Sequence, residues 1–331
     1  MSRKASLACA GAITAAAAIA GIGPALSHVY VGNRFFPATL LEEDPGAIDE
    51  LALPTFAYIT NPDGSRQNDF SFEYAKTIAP GLAVSVGKTF THLNNPRANG
   101  WQNLETGLKY VLFVNPEHEF IFSAGVEFEW GHTGHAAVGA EPFTEWGPQI
   151  FFGKGLGDLP PSLDPLRPFA VTGAFGVGFS THPIDVIVEI EDNLPIVEIE
   201  KSPTVFHWGL SVQYSLPYMN ANVMEVGGPE FLRHLIPLVE FSFLTPVANI
   251  PVGGHTTTGF VAPGILYASR YFQLAAEALI PINAASGKHV GVIAQLHFYL
   301  DDIFPDSIGR PIFAPPDYVS PSAAYYAAHP Q

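Results

Sequence analysis

The stretch GVIAQLHFYLDD, Gly291 to Asp302, decides the fold class. Its apolar residues stand at every second position, at Val292, Ala294, Leu296, Phe298 and Leu300. The residues between them are mixed in character and include a glutamine and a histidine. This period of two predicts a β-strand whose faces lie in different environments. A soluble sheet would bury the apolar set in a core, whereas a membrane barrel would turn it to lipid and the mixed set to a lumen.

Composition narrows the class of protein. The chain has 331 residues, of which 47% are hydrophobic and only 14% are charged. Soluble domains carry about 25% charged residues, so this chain is unusually poor in charge. Its formal net charge of −16 argues against binding to nucleic acid, which requires a basic surface. Thirty-one glycines and 30 prolines suit many strands separated by turns.

The first 27 residues are typical of a secretory signal peptide. Arg3 and Lys4 precede an Ala-rich apolar run, and Ala25 and Ser27 supply the small residues that signal peptidase requires before His28. A transmembrane anchor is the alternative, but the Gly-Pro pair at 23–24 breaks the run. The single cysteine lies inside this segment, so the mature chain is expected to contain no disulfide. No later run is apolar enough to span a bilayer as a helix.

The rest of the chain is a succession of strand-like runs. We count twelve, at residues 52–60, 69–78, 81–92, 102–115, 118–131, 145–155, 167–179, 204–217, 234–246, 256–268, 270–281 and 288–300. Most reach the length of about 9–11 residues that a tilted membrane strand needs, whereas soluble strands centre on about 5–6. The predicted fold is all-β: a transmembrane antiparallel up-and-down β-barrel of about twelve strands.

The connections support this fold. Links after even-numbered strands are mostly short, such as 79–80 and 115–117, and links after odd-numbered strands are long, such as 132–144 and 180–203. This asymmetry is typical of outer-membrane barrels whose two ends are periplasmic. Two links that should be short are not, and the one at 218–234 has room for a brief helix. The long link 180–203 repeats an apolar–acidic alternation, which predicts a hairpin above the membrane.

The positions of the tryptophans support a barrel, whereas the positions of three prolines count against it. The four tryptophans all fall near the outer ends of their predicted strands, as in an interfacial girdle; they are Trp101, Trp130, Trp146 and Trp208. Pro148, Pro237 and Pro263 lie inside predicted strands, where a closed barrel has no free edge to spare a donor. We therefore expect bulges at these prolines, or strand limits that differ from those given above, and a soluble sandwich remains the alternative fold.

The end of the chain resembles a known group of proteins. GVIAQLHFYLDDIFPDSIGRPIF, from Gly291, and RYFQLAAEALIPIN, from Arg270, are similar to the ends of bacterial outer-membrane barrels. The group is the broad one that contains phenol-degradation-type and fatty-acid-channel-type transporters. The resemblance covers the last third of the chain and assigns no functional residue, because it rests on phrases and not on a site motif. It implies a barrel that admits small, often hydrophobic molecules.

Three short patterns could carry other chemistry. GKGLGD at 153–158 lacks the Lys-Ser/Thr ending and the helix of a phosphate-binding loop. His132 and His135 could share a metal with a carboxylate of Glu127 or Glu129, but no fourth ligand is visible and the two glutamates point into the barrel, so a polar extracellular loop is the simpler interpretation. Ser211 and His207 could belong to a lipolytic enzyme, but no G-x-S-x-G elbow is present, and the alternation turns both inward.

The inward face of the predicted barrel carries an unusual set of polar residues. The lumen-lining candidates are Glu73, Lys109, Glu127, Glu129, His207, Gln213, Glu240, Glu277, Gln295 and His297. A cation-biased pore would use them as fixed charges, whereas a packed lumen would pair them with one another and conduct nothing. We favour a restricted channel. Lys109 is expected to lie level with Ala124 and to reach Glu127 diagonally.

These observations predict one barrel domain with two extensions. The organisation is a signal peptide at 1–27, an N-terminal periplasmic or lumenal segment at 28–51, the β-barrel at 52–300 and a periplasmic extension at 301–331. The expected location is the bacterial outer membrane, and the expected function is passive or facilitated passage of small solutes, hydrophobic ones included. Outer-membrane lipid, the barrel-assembly machinery and a small-molecule solute are the expected partners, without cofactor or metal. The alternatives are a non-transporting scaffold barrel and, less favoured, an outer-membrane lipolytic enzyme.

Overall fold

The computed structural model describes residues 29–191, 194–225, 227–251, 254–320 and 325, with the backbone alone for 185–191 and 194–200. The predicted signal peptide therefore lies outside the described residues. The strands are β1 (Tyr30–Val31), β2 (Arg34–Phe35), β3 (Glu50–Thr60), β4 (Arg66–Ala79), β5 (Leu82–Asn94), β6 (Arg97–Trp101), β7 (Leu104–Asn115), β8 (Phe120–Trp130), β9 (Glu145–Gly155), β10 (Phe169–Ser180), β11 (Ile184–Glu191), β12 (Leu194–Lys201), β13 (Thr204–Tyr214), β14 (Leu235–Ala248), β15 (Thr258–Ala268), β16 (Phe272–Pro281) and β17 (His289–Tyr299). The α-helices are α1 (Leu216–Asn222) and α2 (Leu300–Ile303). None of the helices in these ranges is both long and apolar enough to cross a bilayer.

Twelve strand positions of the described chain form one closed antiparallel barrel. Each barrel strand pairs with the next along the chain, and β17 returns to pair with β3. Strands β6 and β7 share one position, because both pair with β5 at different levels. Closure satisfies the backbone groups that an open edge would leave bare, which is the requirement for strands within a bilayer. The predicted fold, a transmembrane up-and-down barrel of about twelve strands, is confirmed.

The exposure of successive residues of β17 shows which of its two faces lies outside the barrel. Val292 is 48% exposed and its neighbour Ile293 only 7%, so the apolar set that begins at Val292 lies on the outside of the barrel. The same alternation places Phe70, Ile150 and Leu274 on the exterior as exposed apolar side chains. The prediction was wrong for Leu300, which is buried because the strand ends at Tyr299 and α2 begins.

The connections define two different rims. At the upper rim lie the links between β3 and β4, β8 and β9, and β10 and β13, and the last of these contains the predicted hairpin. It is a separate sheet in which β11 pairs with β12 from Ile184↔Lys201 to Glu191↔Leu194. At the lower rim, the long link after β13 contains α1, as predicted, followed by a 3-10 turn at Glu230–His234.

Two of the three prolines coincide with breaks in the ladder. Pairing between β9 and β10 is interrupted from Gly147 to Pro148. Pairing between β15 and β16 is interrupted from Ala262 to Pro263. Pro237 lies near the lower end of β14 and pairs in register with Ile265. The missing N–H of proline is therefore accommodated by local irregularity and by position, as expected at such sites.

The core of the molecule lies inside the barrel and is built around residues 36–49, here called the lumen segment. Phe36 is fully buried in an apolar cluster with Ile48, Ile121 and Ile236. Higher in the lumen, Leu40 and Leu41 pack against a second cluster of wall residues that includes Ala262 and Leu279. Burial of such side chains contributes about 1.5–3 kcal/mol each. The segment is therefore an integral part of the folded barrel.

Candidate functional site

The lumen segment is bound to the wall most closely at Glu240 on β14. The two carboxylate oxygens of Glu240 accept hydrogen bonds from the backbone N–H groups of Leu40 (2.8 Å), Leu41 (2.9 Å) and Glu42 (3.1 Å). Glu240 is itself fully buried. Three successive N–H groups that converge on one anion form an anion-binding nest, and hydrogen bonds to a charged acceptor are the strong ones. Glu240 thereby fixes the tip of the segment.

Two further contacts hold the acidic residues of the segment. The Nε2 of His207 lies 3.2 Å from Oε1 of Glu42. The Nζ of Lys109 lies 2.7 Å from Oε2 of Glu43 and donates to the carbonyl of Asp44 at 3.0 Å. Lys109 stands opposite Gly125 and not Ala124, so the expected register was wrong by one residue. Glu127 is its diagonal neighbour, as expected, but the ammonium of Lys109 pairs with Glu43 of the segment and not with Glu127. The segment thus supplies partners that the wall alone does not.

The neighbouring carboxyl groups of Glu43 and Asp44 in the segment have pKa values that are shifted in opposite directions. Burial favours the neutral form of Glu43, but the ammonium of Lys109 outweighs it and lowers the pKa of Glu43 to about 2. Burial raises the pKa of Asp44 to about 7; the Lys109 ammonium opposes this shift, and the carboxylate of Glu50 adds to it. Asp44 can therefore change its charge near neutral pH.

A buried arginine lies at the lower end of the lumen. Arg34, on β2, donates from Nε to Oε2 of Glu119 at 3.0 Å and to the carbonyls of Arg167 and Pro168. Its guanidinium lies 3.7 Å from the ring centroid of Tyr218 on α1. Burial, together with the Glu119 carboxylate, raises the pKa of Tyr218 to about 12, so the ring stays neutral. One side chain thus joins the start of the described chain to three lower-rim connections.

The predicted lumen residues all lie on the inner face of the barrel strands, in two groups. The first surrounds the lumen segment and consists of Lys109, Glu127, His207, Glu240 and Glu277. The second consists of Glu73, which borders free space in the lumen, and of four residues that bond to neighbouring side chains, namely Glu129, Gln213, Gln295 and His297. In that group Glu129 accepts from Asn103 at 2.9 Å, and His297 lies 2.8 Å from Glu50. Inner-wall side chains therefore contact both the lumen segment and one another.

The described residues enclose a lower and an upper cavity beside the lumen segment. The lower one, of about 70 Å³, is bordered by Asp44, Lys109 and Glu127. The upper one, of about 190 Å³, is bordered on one side by Asp69 and Glu105. Glu73 lines both cavities. On the opposite side the upper cavity is apolar and is lined by Leu244, Phe260 and Leu279. The free space therefore has an acidic wall that faces an apolar one.

Sequence reasoning missed several residues of this site. Glu105 has the same parity as Lys109 on one strand, and Asp69 has the same parity as Glu73 on another, so the alternation already placed both inward. The anchors Glu42 and Asp44 carried no signal, because the segment has no regular periodicity from which its contacts could be read.

Comparison with known proteins yields only distant likenesses. No family model and no curated protein matches the chain. Among solved structures, an outer membrane channel from Pseudomonas putida F1 aligns with a TM-score of 0.48 and 10% identity over 76% of this chain and 95% of that one. The KdgM porin aligns with a TM-score of 0.42 and 10% identity over 74% of this chain and 97% of that one. A NanC porin aligns with a TM-score of 0.42 and 7% identity over 76% of this chain and 98% of that one. These likenesses are too distant to transfer a function.

Proposed function

We propose that this protein is a bacterial outer-membrane channel for the passive or facilitated passage of small solutes. The observation that carries the proposal is the incomplete filling of the lumen. The lumen segment is tied to the wall through Glu240, Lys109 and His207, yet it leaves an upper cavity of about 190 Å³ beside it. A barrel that served only as a scaffold would gain stability by packing that space.

The polar anchoring of the lumen segment supports a restricted path. Apolar side chains hold the segment at Phe36, Ile48, Leu40 and Leu41, but its acidic residues and the backbone of its tip are held by charged groups on three different strands. Contacts of that kind can be exchanged for water without a large loss of buried apolar area. We therefore assign the lumen segment as the constriction, and displacement of its tip as the step that widens the path.

Conductance across planar bilayers tests the proposal. The full chain is expected to conduct weakly, and a release variant that combines Lys109→Met with Glu240→Gln is expected to conduct severalfold more. Circular dichroism and heat-modifiable migration in gels establish that both proteins are folded. If both fold and neither conducts, the scaffold function replaces the channel.

An enzymatic function has less support. His207 and Ser211 lie four residues apart on one face of β13, which separates them by about 13 Å along an extended strand. His207 is engaged by Glu42, and Ser211 accepts from Gln213 at 3.3 Å. A serine nucleophile needs its base within hydrogen-bonding reach, so this pair does not meet the requirement. Hydrolysis of phospholipid by the purified protein tests the enzymatic function directly. If hydrolysis is observed, the lipolytic enzyme becomes the favoured function.

A further inference from the structure

The carboxyl group of Glu277, on β16, is buried without a hydrogen-bond donor. The residue is only 4% exposed, and neither of its carboxyl oxygens accepts a hydrogen bond from an N–H or O–H group of the described residues. Its hydrogen-bonding neighbour is the carboxyl group of Glu240, which is itself fully buried. An ionised carboxylate can only accept hydrogen bonds, so a hydrogen bond between these two groups requires a proton on one of them.

The register of the strands and one glycine bring the two acids together. Glu240 stands opposite Ala262 and Glu277 opposite Gly264, so β15 lies between them. A Cβ atom at Gly264 would lie 2.3 Å from Cγ of Glu277. The side chain of Glu277 therefore crosses β15 over the glycine, in a space that any larger residue at this position would occupy. The wall is thus built to hold the two carboxyl groups against each other.

Glu240 and Glu277 differ in what favours their charged forms. Glu240 accepts three hydrogen bonds from the backbone of the lumen segment, and such bonds favour an ionised carboxylate. Glu277 receives none from the described residues, and it stands opposite Ile293 and two residues before Leu279, in apolar surroundings that favour the neutral form. Two carboxylates in contact also repel each other strongly. The arrangement therefore favours a single proton, carried by Glu277 and donated to Glu240.

The other groups that face the pair include two that titrate. Glu42 faces Glu240 from the lumen segment, and His207 of β13 lies 3.2 Å from Glu42. The residues that face the pair from β15 and β17 are uncharged, namely Ala262, Gly264 and Ile293. A response to pH that comes from Glu42 or His207 would persist when Glu277 is replaced. Replacement of Glu277 therefore separates the pair from its titratable neighbours.

Loss of the shared proton would act on the tip of the lumen segment. Glu277 would become a buried anion without a donor, in contact with the anion that binds the tip. Burial of an unpaired charge is costly, and the cost falls when water reaches the two carboxylates. Because the backbone N–H groups of residues 40–42 occupy the oxygens of Glu240, hydration of the pair competes with the seating of the tip.

We propose that Glu240 and Glu277 form a proton lock, in which one shared proton keeps the tip of the lumen segment against the wall and loss of that proton at high pH releases the tip. The lock does not depend on the channel function, whereas its effect on the passage of solutes rests on that proposal. The barrel itself is expected to stay folded, because its ladders are made of backbone hydrogen bonds in which the two side chains take no part.

The proton is detected by infrared spectroscopy of the full chain in detergent at about pH 8, where an ordinary carboxyl group is ionised. A protonated carboxyl group has a carbonyl band distinct from that of a carboxylate. The band should lose intensity in Glu277→Gln and stay unchanged in Glu117→Gln, which alters an exposed acid of the lower rim. Equal bands in the natural sequence and in Glu277→Gln would show that Glu277 is ionised and would overturn the proposal.

Release is measured by hydrogen–deuterium exchange at residues 40–42, about one pH unit below and about one above the pH at which the infrared band disappears. Protection relative to an unfolded peptide at the same pH should fall at least about tenfold in the natural sequence. It should stay nearly constant in Glu277→Gln, because the amide donates to Glu240 at every pH. Glu129→Gln alters an inner-wall acid that bonds to Asn103 and should respond as the natural sequence does.

Three results would contradict the proton lock. They are an equal fall of protection in Glu277→Gln and in the natural sequence, constant protection in both, and an infrared band that persists until the barrel unfolds. Glu277→Met carries no titratable group and should also lose the response, so it replaces the glutamine variant if that variant does not fold.

Passage is measured separately, as conductance across planar bilayers over the same step in pH. Conductance should rise severalfold in the natural sequence and not in Glu277→Gln. Release of the tip without a rise in conductance would contradict the channel function and leave the proton lock standing. An equal rise in both proteins would show that passage does not depend on the lock.

Discussion

The carboxylate of Glu240 accepts a hydrogen bond from the backbone N–H of Leu41 at 2.9 Å, across almost two hundred residues of chain. The N–H groups of Leu40 and Glu42 donate to the same carboxylate, so one side chain of the barrel wall binds three successive backbone groups of the lumen segment. The tip is therefore held through its main chain, in addition to the side-chain contacts of Glu42 and Glu43 with the wall.

Replacement of Glu240 by glutamine should loosen the tip of the lumen segment. The amide keeps one acceptor oxygen but turns an NH₂ group toward N–H donors, and hydrogen bonds to charged groups contribute about 1.5–3 kcal/mol each. Hydrogen–deuterium exchange at residues 40–42 should accelerate at least about tenfold. Asp69→Asn is the matched control, because Asp69 accepts from Thr91 and Gln67 of the wall and not from the segment. Equal exchange in the two variants would contradict the assigned role of Glu240.

The seating of the lumen segment should weaken as the pH rises toward neutrality. The pKa of Asp44 is raised to about 7 in the folded protein from an ordinary value of 3.8. The protonated form is therefore favoured by folding, and its stabilising contribution is full below about pH 4 and is lost as the pH rises through about 7. Glu43, with its pKa lowered to about 2 from 4.5, acts in the opposite sense only below about pH 4.5.

Conductance measured between about pH 5 and pH 8 tests this dependence. It should rise severalfold across the range in the natural sequence and change less in Asp44→Asn, which keeps the side chain neutral. His207 also faces the segment, through Glu42, and histidine titrates in the same range. The Asp44→Asn variant separates the two groups, and an unchanged pH profile in that variant would exclude Asp44 as the cause.

Arginine should be tolerated inside the barrel and not outside it. Ile150 is 43% exposed and stands in the middle of β9, so Ile150→Arg would place a cation against the bilayer midplane at a cost of about 2–4 kcal/mol. Thr89 on β5 borders the upper cavity, and Thr89→Arg should cost less than about 1 kcal/mol. Urea unfolding of both variants in lipid vesicles measures the difference, and equal losses of stability would contradict the assignment of the two faces.

Accessibility of the two rims should differ in intact cells. A short peptide tag inserted between β11 and β12 is expected to bind antibody without permeabilisation, because this hairpin rises from the upper rim. The same tag inserted at residue 162, in the lower-rim link after β9, should bind antibody only after the outer membrane is permeabilised. The reverse pattern would invert the proposed orientation in the membrane.

The barrel could be predicted from sequence because its information is local. The alternation in a strand such as β8 indicates which residues face lipid, and the alternation of short and long links indicates that consecutive strands pair in antiparallel order. The contacts of the lumen segment could not be predicted in that way. Lys109 was expected to pair with Glu127 because the two are close in register, whereas its partner Glu43 comes from an irregular segment 66 residues earlier in the chain, whose path no periodicity records.

The same limit applies to four inner-wall glutamates that lie on one line of strand register: Glu73, Glu105, Glu129 and Glu145. Alternation gives the face of each glutamate, but the line that joins Glu73 to Glu145 depends on the register of five neighbouring strands. A shift of a single residue in one ladder would turn a set of side chains to the other face. Only the pairing of the folded sheet brings Glu105, Glu129 and Glu145 into one line.

The position of the lumen segment also constrains how the protein assembles. The segment leads directly into β3, and β3 closes the barrel by pairing with β17, the strand most distant from it in sequence. At that seam Glu50 contacts His297, and Phe35 lies 6.2 Å, ring to ring, from Tyr299. These contacts cannot form until the last strand is in place, whereas the contacts of the segment with Lys109, His207 and Glu240 do not involve β17. Closure of the wall therefore also completes the packing beneath the segment, and a chain that lacks β17 would lose the contacts that Glu50 and Phe35 make at the seam.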